Sequence, residues 1–251
     1  MASHKDYPPT TFRSIQDKFA ADVAQSRNHP DSPYLWLRTL DGHSDLIDKF
    51  RQVKHHLNVL KTTEGLKIFA FTAPHLHAGV STLASNISLV MSWDFLDQRI
   101  LLVDAQLKKP DLHLAFKVNS QPGLLDYLVN GQNLSLVRQS TFRSNLDLIT
   151  SGDATLTVSS PFDLRRFTDF LEDVGQHYDF VLVDCPPVIE SSDAQVICGK
   201  VDGVVIIAEA NRLRYEVLSA SLNELRDHTR LVGCILNKRQ FFIPDFLYRF
   251  V

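Results

Sequence analysis

The stretch LKIFAFTAPHLHAGVSTLASNISLV, Leu66–Val90, decides how the rest of the chain is read. It begins as an apolar run, passes through a short loop containing proline and glycine, and opens a helix-like pattern at Ser81. Strand, tight loop and helix start are the context in which the phosphate-binding sequence G-x-x-x-x-G-K-[ST] works. Its backbone amides cradle phosphate, its lysine reaches the outer phosphates and its hydroxyl meets Mg²⁺. Here Val80 stands at the lysine position, and His77 stands where a glycine would ease the turn. The frame of a nucleotide site is present without its main cation.

Outward from this stretch, six apolar segments are spaced along the chain: KIFAFT, RILLVDA, LDLIT, DFVLVDCPP, GVVIIAEA and LVGCIL. None alternates with polar residues, so each reads as a strand buried on both faces, which implies a mainly parallel sheet clothed by helices. The intervals are long enough for right-handed crossovers, with helical candidates at Ser81–Ser92, Gly123–Val129, Phe162–Gly175 and Arg214–Asp227. Upstream, Leu46, Ile47, Phe50, Val53, Leu57 and Leu60 recur at three- and four-residue spacing, the mark of an amphipathic helix. The expected fold is α/β, a doubly wound three-layer α/β/α sandwich in which ligands sit beyond the carboxyl ends of the strands. Residues 1–43, with YPPT and RNHPDSP, read as an N-terminal arm; 44–237 as the domain; and 238–251 as an apolar tail. The tail's Phe241, Phe242, Ile243, Phe246, Leu247, Phe250 and Val251 suit a lipid interface, a partner groove or the domain's own core equally.

Composition narrows the function classes. Lys and Arg number 26 against 29 Asp and Glu, a net charge of -3, so no global field draws nucleic acid or anionic lipid. Cys185, Cys198 and Cys234 lack metal-ligand spacing and read as buried thiols in a reducing compartment. No stretch approaches the roughly 20 apolar residues of a membrane-spanning helix, and the polar start is no signal peptide. The expectation is a cytoplasmic protein whose membrane attachment, if it has one, runs through a partner or a surface segment.

Two strands end in aspartate: ILLVDA in Asp104, and FVLVDCPP in Asp184, where two prolines stop the strand. An acid at the end of a buried strand is costly unless it is solvated, paired or faces a cation. Two such acids beside a loop–helix junction point to a metal–phosphate site, with Asp104, Asp184 and one of the Ser81 and Thr82 hydroxyls, Ser81 by preference, as Mg²⁺ ligands. Ser81 and Thr82 also suit the helix start.

From about Ser44 to Asn237 the chain resembles the bacterial tyrosine kinases of capsule and exopolysaccharide synthesis, members of the P-loop superfamily. VSTLASNISL resembles the helix after the phosphate loop, LLVDAQLKKPDLH the second Walker A segment, and QPGLLDYLVNG the turn and helix that follow. YDFVLVDCPPVIESSDA resembles the Walker B segment, and GCILN the strand whose terminal asparagine, Asn237, meets adenine in relatives. Asp48, Arg51 and Lys54 in DKFRQVK resemble the motif that joins subunits into a ring. The resemblance implies ATP or ADP with Mg²⁺ as cofactors, a nucleotide site from His77, Gly79, Val80, Ser81, Thr82 and Asn237, and Asp104 and Asp184 as catalytic residues. It also implies an inner-membrane polysaccharide co-polymerase as partner and a place beside that membrane.

The departures from the family pattern cluster in the site. Val80 supplies neither charge nor donor. A hydrogen bond to a charged group is worth about 1.5–3 kcal/mol, so its loss weakens nucleotide binding by roughly one to two orders of magnitude. Phosphoryl transfer, which is mostly positioning and charge neutralisation, suffers more. Gln106 replaces a second acid, Glu209 lies where relatives often carry a base, and Tyr248 stands alone where relatives have a tyrosine cluster. His75 and His77 offer at most a partial cation. The expectation is a kinase-like protein impaired in catalysis that regulates or scaffolds the co-polymerase and requires no cofactor. The alternative is an active autokinase or ATPase with an unorthodox loop, and a partition-type ATPase is the weaker third option.

Overall fold

A computed structural model describes residues 44–239 apart from 154, 157–160, 164, 211 and 226–228. The expected N-terminal arm and residues 240–251 of the tail, Tyr248 included, lie outside the described residues.

Helix α1 (Ser44–Glu64) ends where Gly65 turns left-handed at φ 76° and donates its amide to the Lys61 carbonyl at 3.0 Å. The chain then alternates through β1 (Ile68–Thr72), α2 (Val80–Asp94), β2 (Ile100–Asp104), α3 (Leu112–Phe116), α4 (Leu124–Leu128), α5 (Leu134–Val137), β3 (Arg138–Ser140) and β4 (Leu146–Ile149). After a short 3₁₀ turn at Pro161–Asp163 come α6 (Arg165–His177), β5 (Phe180–Asp184), α7 (Ser192–Cys198), β6 (Gly203–Glu209), α8 (Tyr215–Leu225) and β7 (Leu231–Asn237). The seven strands form one sheet in the order β3-β4-β2-β5-β1-β6-β7. Every pairing is parallel except β3 with β4.

All six expected strands are present. The seventh, β3, is an Arg-Gln-Ser segment with no apolar signature; its antiparallel ladder to β4 creates it at the sheet edge. The four helical candidates are also present, and α2 starts one residue earlier than expected, at Val80. Helices α3, α5 and α7 are too short for hydrophobic periodicity to announce them.

Why the strands are apolar throughout is visible in the two cores. Phe69 and Phe71, Ile100 and Leu102, and Phe180 and Leu182 face one side, where α1 and α2 cover them. Their neighbours Ile68 and Ala70, Leu101 and Val103, and Val181 and Val183 face the other, under α4, α6 and α7. The period-2 alternation of a strand thus sends successive apolar side chains into two separate cores. Helix α1 buries Phe50 and Leu57, with Leu46, Ile47, Val53 and Leu60 packed against the same cluster.

Asp94 lies in the last turn of α2, the negative end of the helix dipole, and needs cations. Lys54 Nζ at 2.6 Å and Arg51 Nε at 3.2 Å, both from α1, meet the same Asp94 Oδ2. Arg51 also bonds Asp48 at 3.3 Å. The motif that the sequence associates with subunit joining therefore ties α1 to α2 within the chain. Cys185 and Cys198 are buried as expected, whereas Cys234 is exposed, because β7 is an edge strand with partly open faces. Among the described residues no helix is long and apolar enough to cross a membrane.

Phe180 is fully buried between Phe95, with ring centroids 5.7 Å apart, and Phe69, 6.5 Å away. Phe180→Ala is expected to cost about 3–5 kcal/mol in urea unfolding. Leu236→Ala, on the open edge strand, is expected to stay within about 0.5 kcal/mol.

Candidate functional site

The parallel register brings the two aspartates together. Asp104 pairs with Asp184 across β2 and β5, and Phe71 of β1 pairs with Asp184 on the other side. The strand ends are locked level by the Ala105 amide donating to the Asp184 carbonyl and the Cys185 amide donating to the Phe71 carbonyl, both at 2.9 Å. Thr72 Oγ1 donates to the Pro186 carbonyl at 2.7 Å, which holds the proline turn over β1.

Both carboxylates are fully buried, yet their surroundings differ. Asp104 accepts from the Gln106 amide at 3.0 Å and from the Leu112 amide at 3.3 Å. Neither buried oxygen of Asp184 has a hydrogen-bond partner of good geometry. Burial pushes Asp104 up to about 7, against those two amide bonds. Burial first, and the adjacent Asp104 charge second, hold Asp184 well above the carboxylate range, and the side chains of Ser81 and Gln106 offset only part of this. Left to themselves, the two acids keep a proton at neutral pH.

This arrangement fits a hard divalent cation. Mg²⁺ takes one or two carboxylates, keeps waters and completes its shell with phosphate oxygens. Two unpartnered buried oxygens on Asp184, Asp104 alongside and the Ser81 hydroxyl facing them supply the protein's share of that shell. Among the described residues no group of three or more His, Cys, Asp or Glu side chains is placed to hold a metal by itself, so waters or phosphate oxygens would complete the shell.

The loop from Ala73 to Gly79 joins β1 to α2. Gly79 has φ 93°, and a Cβ there would come within 2.5 Å of Asn237 Nδ2, so this position needs glycine on two counts. His77 is left-handed too, at φ 67°, which explains why a glycine suits that position; its side chain is exposed. Among the described residues the amides of 78–82 donate to no protein group, leaving the start of α2 open to an anion. Val80 is 7% exposed and belongs to the core cluster under α1. Its methyl groups pack inward where a lysine would project its charge.

A cavity of about 380 Å³ opens over this loop, lined among others by His77, Val80, Ser81, Thr82, Lys109 and Lys238. Of the residues singled out from sequence, His75, His77, Gly79, Val80, Ser81 and Thr82 line it, Gln106 reaches it while donating to the Cys185 carbonyl at 2.9 Å, and the buried Asp104 and Asp184 are not part of its lining. Asn237 touches the loop itself, donating to the Ala78 carbonyl at 2.8 Å. Asp48, Arg51 and Lys54 lie away from it on α1. His75 approaches Glu190 at 3.7 Å, and Glu209 faces Lys238 at 3.4 Å. Sequence reasoning missed Lys238, which donates to the His77 carbonyl from 161 residues away. The only sequence signal for it is its place directly after Asn237.

Comparison with known proteins places these features. The AAA domain family matches residues 67–232. Tyrosine-protein kinase YwqD of Bacillus subtilis is 24% identical over 194 residues, covering 77% of this chain and 81% of the relative. Tyrosine-protein kinase etk of Escherichia coli K12 is 28% identical over 183 residues, 72% of this chain. The match spans only 25% of that longer relative. The solved kinase domain of Escherichia coli tyrosine kinase ETK superposes with a TM-score of 0.71 at 27% identity, covering 79% of each chain. The BceF tyrosine kinase domain, at 23% identity and a TM-score of 0.71 over 88% of each chain, shares the fold.

The aspartate pair has a pH signature. Folded-state values above the unfolded carboxylate range mean that the native pair keeps protons which the unfolded chain has lost. Its contribution to stability therefore falls as pH rises from about 4, where an unfolded aspartate titrates, through about 7. Asp184→Asn is expected to gain stability relative to the natural sequence between pH 5 and pH 8, followed by urea unfolding. A difference that does not change with pH would contradict the burial of charge at this position.

Proposed function

The chain belongs to the AAA domain family, and we propose that within it the protein is kinase-like but impaired in phosphoryl transfer. It acts as a regulatory or scaffolding partner of an inner-membrane protein that sets the length or export of a bacterial surface polysaccharide. The partner and the membrane location rest on the likeness to tyrosine-protein kinases and on the resemblance of motifs.

One observation carries the impairment. The residue that opens α2 is an aliphatic side chain packed into the core, so the charge that should meet the outer phosphates is absent from its usual place. Loss of one preorganised charge contact commonly costs 10²–10³ in rate. When bound, Mg²⁺ supplies charge neutralisation at the phosphates. Asp104, Asp184 and Ser81 would hold it, and Gln106 stands where a second carboxylate would take a proton from an attacking hydroxyl. With an amide at that position the chain has no base there, since an amide takes up no proton at neutral pH.

The aspartate pair favours a second reading, an active ATPase or autokinase with an unorthodox loop. Its two unpaired oxygens are costly to bury unless a cation visits them.

The two readings separate in a turnover assay. Incubation with labelled Mg-ATP is expected to give neither tyrosine phosphorylation nor phosphate release above a no-protein control. Deleting the chain from its host is expected to shift the length distribution of the exported polymer. Turnover that Asp184→Asn abolishes would establish the enzyme instead.

A further inference from the structure

We propose that Lys238, delivered from the end of β7, takes over the cationic role that Val80 cannot fill, so that the loop still binds the phosphate chain of a nucleotide. The proposal rests on the transfer-impaired reading and deepens it: the site holds its ligand without processing it.

The contacts are specific. Lys238 follows the last residue of β7 in a left-handed conformation, φ 55°, which turns its side chain back over the loop. Its Nζ donates to the His77 carbonyl and lies 3.4 Å from Glu209 Oε1. Asn237 binds the next carbonyl, that of Ala78. The end of β7 thus grips two consecutive loop carbonyls, while among the described residues the amides of 78–82 have no protein acceptor.

Charge is distributed accordingly. Lys109, after β2, and Lys238, after β7, line the same cavity as Ser81 and Thr82. Asp111 and Glu209 are the opposing acids near its rim. Behind Ser81, and not itself part of the lining, the fully buried Asp184 holds two oxygens without a well-placed donor, which a cation or a proton would satisfy. An anion bearing its own divalent cation answers all of these at once. Its phosphates meet the amides of the α2 start and the two ammonium groups, and its metal meets the aspartates. A bare monovalent anion would leave the aspartates unanswered.

Lysine at this distance binds differently from a lysine inside the loop. Its ammonium already has a carboxylate and a carbonyl as partners, so an incoming phosphate competes with Glu209 for it. This favours retention over catalysis, because the cation is not carried along the path of a transferring phosphoryl group.

The test is titration calorimetry of the full chain with Mg-ATP and, separately, with Mg-tripolyphosphate. Lys238→Gln keeps a donor for the His77 carbonyl while removing the charge, and Lys238→Ala removes both. Both substitutions are expected to weaken Mg-ATP about tenfold or more, with unliganded thermal stability held by the glutamine. Equal affinity for natural protein and Lys238→Gln would overturn the proposal. So would the absence of any heat with natural protein at millimolar Mg-ATP, a result that leaves the transfer-impaired reading standing. Labelled phosphate appearing on tyrosine would overturn that reading instead, and the Lys238 assignment would still be decided by the binding ratio.

Discussion

Two carboxylates side by side in a dry sheet, without an opposing charge, form the constraint on which the rest of this protein depends. The parallel register of β2 against β5 leaves them no choice of neighbour: once the strands pair, Asp104 and Asp184 are level. Apolar side chains fill the layers above and below, so water cannot relieve them. Burial instead raises both carboxyls above their ordinary range, so that protons offset the cost of burying them. The loop after β1, the start of α2 and the turns after β2, β5 and β7 all converge on the mouth of the sheet.

The loop over this mouth has exchanged charge for packing. Val80 strengthens the contact between α2 and the core under α1, and the helix it opens is buried along most of its length. The positive charge near the loop comes instead from segments that follow other strands. A doubly wound sheet makes this possible, because every parallel strand ends on the same side and each following turn can contribute to the same cavity. Positive charge lost at one strand end is recoverable at another.

The architecture was legible in the sequence because its signals are local. Six uninterrupted apolar segments require burial on both faces, and only flanking helices supply it. What escaped was made by neighbours. Strand β3 has no apolar face and exists through its ladder to β4. Cys234 reads like the other two thiols in sequence, yet edge position alone leaves it exposed. Arg51 and Lys54 resemble a subunit-joining motif in sequence, and that α2 ends beside them with Asp94 is visible only in the fold.

The amino-acid order alone determined the α/β alternation, the acids at two strand tips and the missing ammonium at position 80. Each of these is a property of a residue and its immediate neighbours. Only the folded chain decided that the two acids lie level on neighbouring strands, that the carboxylate oxygens of Asp184 are buried without a well-placed donor, and that Lys238 lies on the loop it follows by more than half the chain length. Such contacts arise from strand order and register, and these are set by long-range packing that no single segment encodes.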